Sequence, residues 1–382
     1  MNKSASKNRQ AQQLLLTALR SPQKLVTLNT AEWDLLLRIA RRARVLGRIE
    51  VSLASSGHLG QIPTGAANHL RATRNVIEHR KTLVSWEVNR LLWALRGIDV
   101  SLILLKGSGY LLAGLPPAAG RIFADVDLLV PENRLPEIES RLLASGWFRT
   151  QIDAYDDRYY RVWMHEIPPL RHRERGTEID IHHRLLPKTS RLTSDPDPLF
   201  ADACSLAVDP RLKILAPADM VLHALVHLFL EGDPDEGLRL RDLLDVHDLL
   251  THFAEHPGFW RDLIPRACQL GFQRPLYYGL THMQKLFGTP IPAAVSSELH
   301  RLAPPWPIKP LMTCLIRRAL LPDHPDYPRR SSAMARWLLY VRSHWLRMPT
   351  ILLGKHLGRK FWLRLRGARK QIDLTQLDLK QQ

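Results

Sequence analysis

The stretch Phe123-Ala-Asp-Val-Asp-Leu-Leu-Val130 decides how the rest of the chain is read. It is an apolar, strand-like run that stops at Pro131, and side chains two apart on a strand share a face. Asp125 and Asp127 therefore project together, while Val126 and Leu128 point into a core. Two adjacent carboxylates repel unless a cation sits between them, and hard divalent ions such as Mg²⁺ favour carboxylate and phosphate oxygens. A neighbouring strand should then bring a third acid. Glu178-Ile-Asp180-Ile-His182-His183 offers candidates: Glu178, Asp180 and His182 share one face, with Ile179 and Ile181 on the other.

Upstream, Val100-Ser-Leu-Ile-Leu-Leu reads as a buried strand that turns into a helix at Lys106-Gly107-Ser108-Gly109. That turn offers a cation, unhindered backbone and a hydroxyl, so Lys106, Gly107 and Ser108 are expected at a phosphate. Arg121, four residues before Asp125, adds a forked donor for phosphate oxygens. Downstream, Glu132 to Ser145 has helical spacing with Gly146 as its stop. Alternating segments at Tyr159 to Leu170 and Thr177 to Leu186 are expected as strands, with Arg175-Gly176 at a hairpin tip.

Helical periodicity flanks this unit on both sides. It runs from about residue 9 to 97, and again over Ala218 to Leu230, Leu238 to Phe253, Phe259 to Gly271 and Leu276 to Phe287. Four regions follow: helical 1–98, a small mixed-sheet α+β core over 99–190, helical 191–325 and a basic aromatic tail from 326 to 382. Asp219, His223 and His227 lie at i, i+4 and i+8, which could suggest zinc. With no HExxH glutamate and no fourth ligand, a structural polar stripe is the simpler expectation. Asp242 is expected to make helix-surface pairs with Arg239 or Arg241.

The formal net charge of the 382 residues is +17, so some surface should attract an anion. Much of that excess lies between Tyr327 and Ile372, where twelve basic residues occur with no acid. Arg359, Arg366 and Lys370 share a helix face opposite Leu357, Phe361, Leu365 and Ala368, as suits an anionic bilayer surface. A helix packed on the protein is the alternative, and nucleic-acid binding a third. Cys204, Cys268 and Cys314 lack CxxC spacing and sit in apolar surroundings, which predicts buried, reduced thiols. No apolar stretch reaches 18 residues and no secretion signal is visible, so the cytoplasm is the expected address, with the inner membrane face as the alternative.

Taken together, Leu104-Leu-Lys-Gly107, Arg121, Asp125-Val-Asp127, Ile179-Asp-Ile-His-His183, Pro217-Ala-Asp219 through His227, and Arg239-Leu-Arg-Asp242 through Leu250 form an ordered series. In this the chain resembles the uncharacterised nucleotidyltransferase family of the DNA polymerase β-like superfamily over roughly residues 85 to 255. Lys106-Gly107 stands where the wider superfamily has Gly-Ser or Gly-Gly, and His183 where an aromatic is common. The resemblance implies a polymerase β-like core and a two-metal mechanism, with Mg²⁺ as the ion and Mn²⁺ as a substitute. Asp125 and Asp127 would hold both ions, Asp180 would share one and act as general base, and an NTP would react with a hydroxyl acceptor, releasing pyrophosphate. Two other classes remain open from the residues alone. A glycosyltransferase also uses an Asp-x-Asp strand, and a non-catalytic nucleotide-binding protein would keep the site without turnover.

Overall fold

A computed structural model describes residues 3–150, 160–192, 195–230 and 239–350, together with 353, 354 and 358. The amphipathic tail face from Leu357 to Lys370 lies outside the described residues apart from Gly358. The fold is mixed α and β, with a central seven-stranded sheet between helical flanks.

The N-terminal flank comprises α1 (Lys3–Arg20), α2 (Thr30–Arg42), α3 (Leu46–Ser55) and the long α4 (Thr64–Ala94). A reciprocal capping box starts α2: Asn29 accepts from the Glu32 amide and Glu32 accepts from the Asn29 amide, each at 3.0 Å. The next elements are β1 (Leu102–Leu104), α5 (Lys106–Leu112), β2 (Val126–Leu129), α6 (Leu135–Ala144), β3 (Trp147–Arg149), β4 (Leu170–His172) and β5 (Glu178–His182). After α7 (Asp197–Ala201), β6 (Cys204–Leu206) and β7 (Asp209–Ile214) return to the sheet. The C-terminal helices are α8 (Pro217–Leu230), α9 (Leu240–Phe253), α10 (Phe259–Gln269), α11 (Gln273–Phe287), α12 (Ala293–Arg301), α13 (Ile308–Leu320) and α14 (Arg330–Arg347).

The strand order is β3-β4-β5-β2-β1-β7-β6. Strand β2 runs antiparallel to β1 and parallel to β5, and β1 runs parallel to β7. The strands β1 and β2 are buried throughout, β1 as an unbroken apolar run and β2 apolar but for Asp127, as suits a sheet covered on both faces. The expected hairpin is present between β4 and β5. Its tip is fastened to α4 by Arg175, which grips buried Glu87 with two bonds of 2.9 Å.

Three expectations are corrected. Of the strand expected over Tyr159 to Leu170, Tyr159 lies outside the described residues and the rest is not a strand: residues 160–163 are helical, Glu166 makes a single bridge to His182, and only Leu170 begins β4. Pro168 and Pro169 lack the amide hydrogens a continuous ladder needs. Strands β6 and β7 carry the sheet past residue 190, on a short, half-exposed edge that alternation hardly marks. The three cysteines are exposed rather than buried. Around Cys314 the helical period turns Met312 and Ile316 inward and leaves the thiol outside. On α14, Ser332, Ala335, Leu339 and Ser343 face the protein, while Met334, Trp337, Leu338 and Trp345 face solvent.

Candidate active site

The parallel pairing of β2 with β5 sets Asp127 directly beside Asp180. Residues opposite one another on neighbouring strands point to the same face, so the two carboxylates share it. Glu178, the alternative third acid, lies two residues earlier, where the strand is exposed, and stands opposite Arg171 of β4. Arg175, at the tip of the hairpin that carries Asp180, is engaged by Glu87. Asp180 Oδ1 is buried and has no hydrogen-bond partner among the described residues. Burial, then the charges of Asp127, Glu166 and Asp125, push the Asp180 carboxyl up to about 8.

Asp127 behaves in the opposite way. Burial opposes its ionisation, but Lys106, the His182 hydrogen bond and His227 hold it well below the usual carboxylate range. Lys106 Nζ stands 3.4 Å and His182 Nε2 3.2 Å from Asp127 Oδ1. Asp125 precedes β2 at the exposed lip of the site, where the surrounding protein and then Asp127 raise its carboxyl. The three acids share one electrostatic field, and Asp127 beside Asp180 with its orphaned oxygen is a pair that suits a hard divalent cation. Among the described residues the three acids do not bring one ligand atom each within 4.8 Å of one another, a spacing met only by His165, Glu166 and His182.

Beside Asp125 and Asp127 opens a cavity of about 140 Å³ lined by Lys106, Arg121, Arg44, His227, Arg239 and Arg241. Among the described residues, Arg44 and Lys106 are the two non-glycines with positive φ, 59° and 46°. Left-handed backbone costs an L-residue about 1–2 kcal/mol, and such strain concentrates at functional sites. Arg44 occupies the position just past the α2 cap, normally glycine, with the Val45 amide bonded back to the Ala40 carbonyl at 3.0 Å. The lysine of Lys106-Gly107 likewise stands in backbone that favours glycine.

Arg121 lines the cavity but is also a tether. It pairs with Asp245 and lies 3.7 Å from Asp242, both on α9, and burial lowers its affinity for its proton. A Cβ on Gly107 would come within 3.2 Å of Arg121 Nε and of Phe123, so this glycine admits the arginine. Ser108 is not brought to the cleft; it is buried and donates to the Leu105 carbonyl at 3.1 Å. The expected surface pairs of Asp242 are buried instead. Arg241 grips it at 2.6 Å and 2.8 Å, and Arg239 lies 3.9 Å away. The α8 stripe divides: Asp219 binds Arg266 at 2.6 Å, whereas His227 faces the cavity.

Sequence reasoning missed Arg44, His227, Arg239 and Arg241 as cleft residues. Arg44 is some 80 residues from Asp125 and carries no local signal. Arg239 and Arg241 did carry one, since basic residues at a helix start run against the helix dipole.

A mixed sheet that sets two aspartates side by side next to a cationic cleft, between helical flanks, defines a nucleotidyltransferase-type protein. The chain belongs to the uncharacterised nucleotidyltransferase family, whose model matches residues 29–288. That membership supports a general role in nucleotidyl transfer. No curated protein and no solved structure matches the chain significantly.

Proposed function

We propose that the chain transfers a nucleoside monophosphate from an NTP to a hydroxyl of an acceptor. The acceptor oxygen bonds to the α-phosphorus, the bond to pyrophosphate breaks, and the hydroxyl proton passes to Asp180. One juxtaposition carries this reading: the neighbouring carboxylates of Asp127 on β2 and Asp180 on β5 beside a cleft lined by six basic side chains. Asp125, Asp127 and Asp180 would hold Mg²⁺ or Mn²⁺, which when bound neutralises charge on the attacking and leaving oxygens. Lys106, Arg44, Arg239 and Arg241 would bind the triphosphate as point charges and forks.

A second cavity of about 450 Å³ continues from the cleft and shares Arg44, Ile122, Ala124 and Arg241 with it. Its walls include Leu46, Ala72 and Val76, and we assign it to the nucleoside. Asp180 lies on the other side of Asp127, where the acceptor would approach.

Pyrophosphate release from each NTP, measured with Mg²⁺ beside Asp125→Asn and Asp180→Asn, tests the proposal. Release that both substitutions abolish supports it. Turnover of a nucleotide-sugar without NTP consumption would favour glycosyl transfer, and tight nucleotide binding without turnover a binding protein.

A further inference from the structure

Another cluster lies across β5 from the cationic cleft. His165, Glu166 and His182 each offer one ligand atom, and these three atoms lie within 4.8 Å of one another. The two histidines are 3% and 4% exposed, and the Glu166 side chain is 20% exposed. The backbone fixes this meeting. Glu166 and His182 form a bridge, the Ile167 amide donates to the Ile181 carbonyl at 3.0 Å, and the His183 amide to the His165 carbonyl at 2.8 Å.

Hydrogen-bond chemistry then sets the His182 tautomer. An ionised Asp127 can only accept, so Nε2 must carry the hydrogen across the 3.2 Å contact. The other ring nitrogen, Nδ1, faces Glu166 Oε2 at 3.5 Å. A carboxylate oxygen and an imidazole nitrogen so placed can share a cation. A proton would satisfy His182 and Glu166 alone. A second buried imidazole, His165, stands beside them, its ring centre 5.2 Å from that of His182. Two imidazoles and a carboxylate suit a borderline ion of the zinc class, not magnesium, which seeks oxygens.

We propose that His165, Glu166 and His182 bind one zinc-class divalent ion, separate from the oxygen-ligated site of Asp125, Asp127 and Asp180. Asp127 then serves as the outer carboxylate that orients a metal-bound imidazole. The partly open Glu166 side leaves a coordination position for water. The ion is measured without nucleotide, so the outcome does not depend on whether the chain transfers nucleotides.

Equilibrium dialysis of the full chain against Zn²⁺ in excess Mg²⁺ should leave one equivalent bound. Co²⁺ in its place should give visible bands of nitrogen and oxygen ligation. His165→Ala and Glu166→Gln should each weaken binding at least about tenfold, whereas Asp125→Asn should leave it within about twofold. Circular dichroism checks the fold, and should His165→Ala not fold, Glu166→Gln at its partly exposed position decides. Absence of retained zinc would overturn the proposal, as would zinc that survives Glu166→Gln or is lost with Asp125→Asn.

Discussion

Arg44 and Lys106 hold left-handed backbone, and both point into the cleft beside Asp125. Were their side chains unimportant, glycine would serve better at each. Lys106→Gly should therefore be more stable than Lys106→Ala by about 1 kcal/mol, and likewise at Arg44, while all four variants lose turnover. Denaturant midpoints compare each pair, and equal midpoints would remove the strain argument. Asp180 gives the complementary case. Its carboxyl is raised to about 8, so between pH 4 and 8 the folded chain holds a proton that the unfolded chain releases. This contribution to stability is full below pH 4 and is lost as pH rises through 8. In EDTA, Asp180→Asn should gain on the unmodified chain by up to about 1.4 kcal/mol per pH unit across that window, then level off. A gain independent of pH would show that Asp180 is not the strained group. Of these residues, the meeting of Asp127 with Asp180 was legible, because alternation along two short strands fixes which side chains share a face. Arg44 was not, since only tertiary packing brings it to them.

At the scale of elements, the sheet unit shares one hydrophobic core with its flanks and is tied to them by buried polar contacts as well. Helix α3 meets the loop before Arg121 backbone to backbone. A Cβ on Gly120, at φ 77°, would fall 2.6 Å from the Gly47 carbonyl, and Arg48 caps the Ala119 carbonyl at 2.8 Å. Helix α9 reaches the same loop through Arg121, Asp242 and Asp245. Removing one partner of a buried pair strands the other charge, so Asp245→Ala should cost about 3–5 kcal/mol. The double change Arg121→Met with Asp245→Ala should cost less than the sum of the single changes, which denaturation of all four proteins measures. Additive losses would mean that Arg121 finds another partner. The helices α8 to α11 were legible from their 3.6-residue period. The pairing of Asp242 toward the cleft was not, because a periodic pattern gives a face but not its neighbour.

For the whole molecule, the N-terminal helices are part of the cleft, although the core motifs begin only after residue 99. The family match from residue 29 spans α2 to α4, whose contribution is the apolar cavity behind Ile122. The sequence showed them only as a helical preface, since no motif in Leu46, Ala72 and Val76 predicts which loop they will cover. If that cavity takes the nucleoside, filling it should weaken substrate binding and leave the chemical step alone. Val76 is 48% exposed, so Val76→Trp can be accommodated at little cost in stability. It should raise KM for the NTP about tenfold with kcat nearly unchanged, the pattern of lost uniform binding. Inorganic tripolyphosphate, which has no nucleoside, should inhibit variant and unmodified protein equally. An unchanged KM, or a fall in kcat alone, would place the nucleoside elsewhere and leave the cavity to the acceptor.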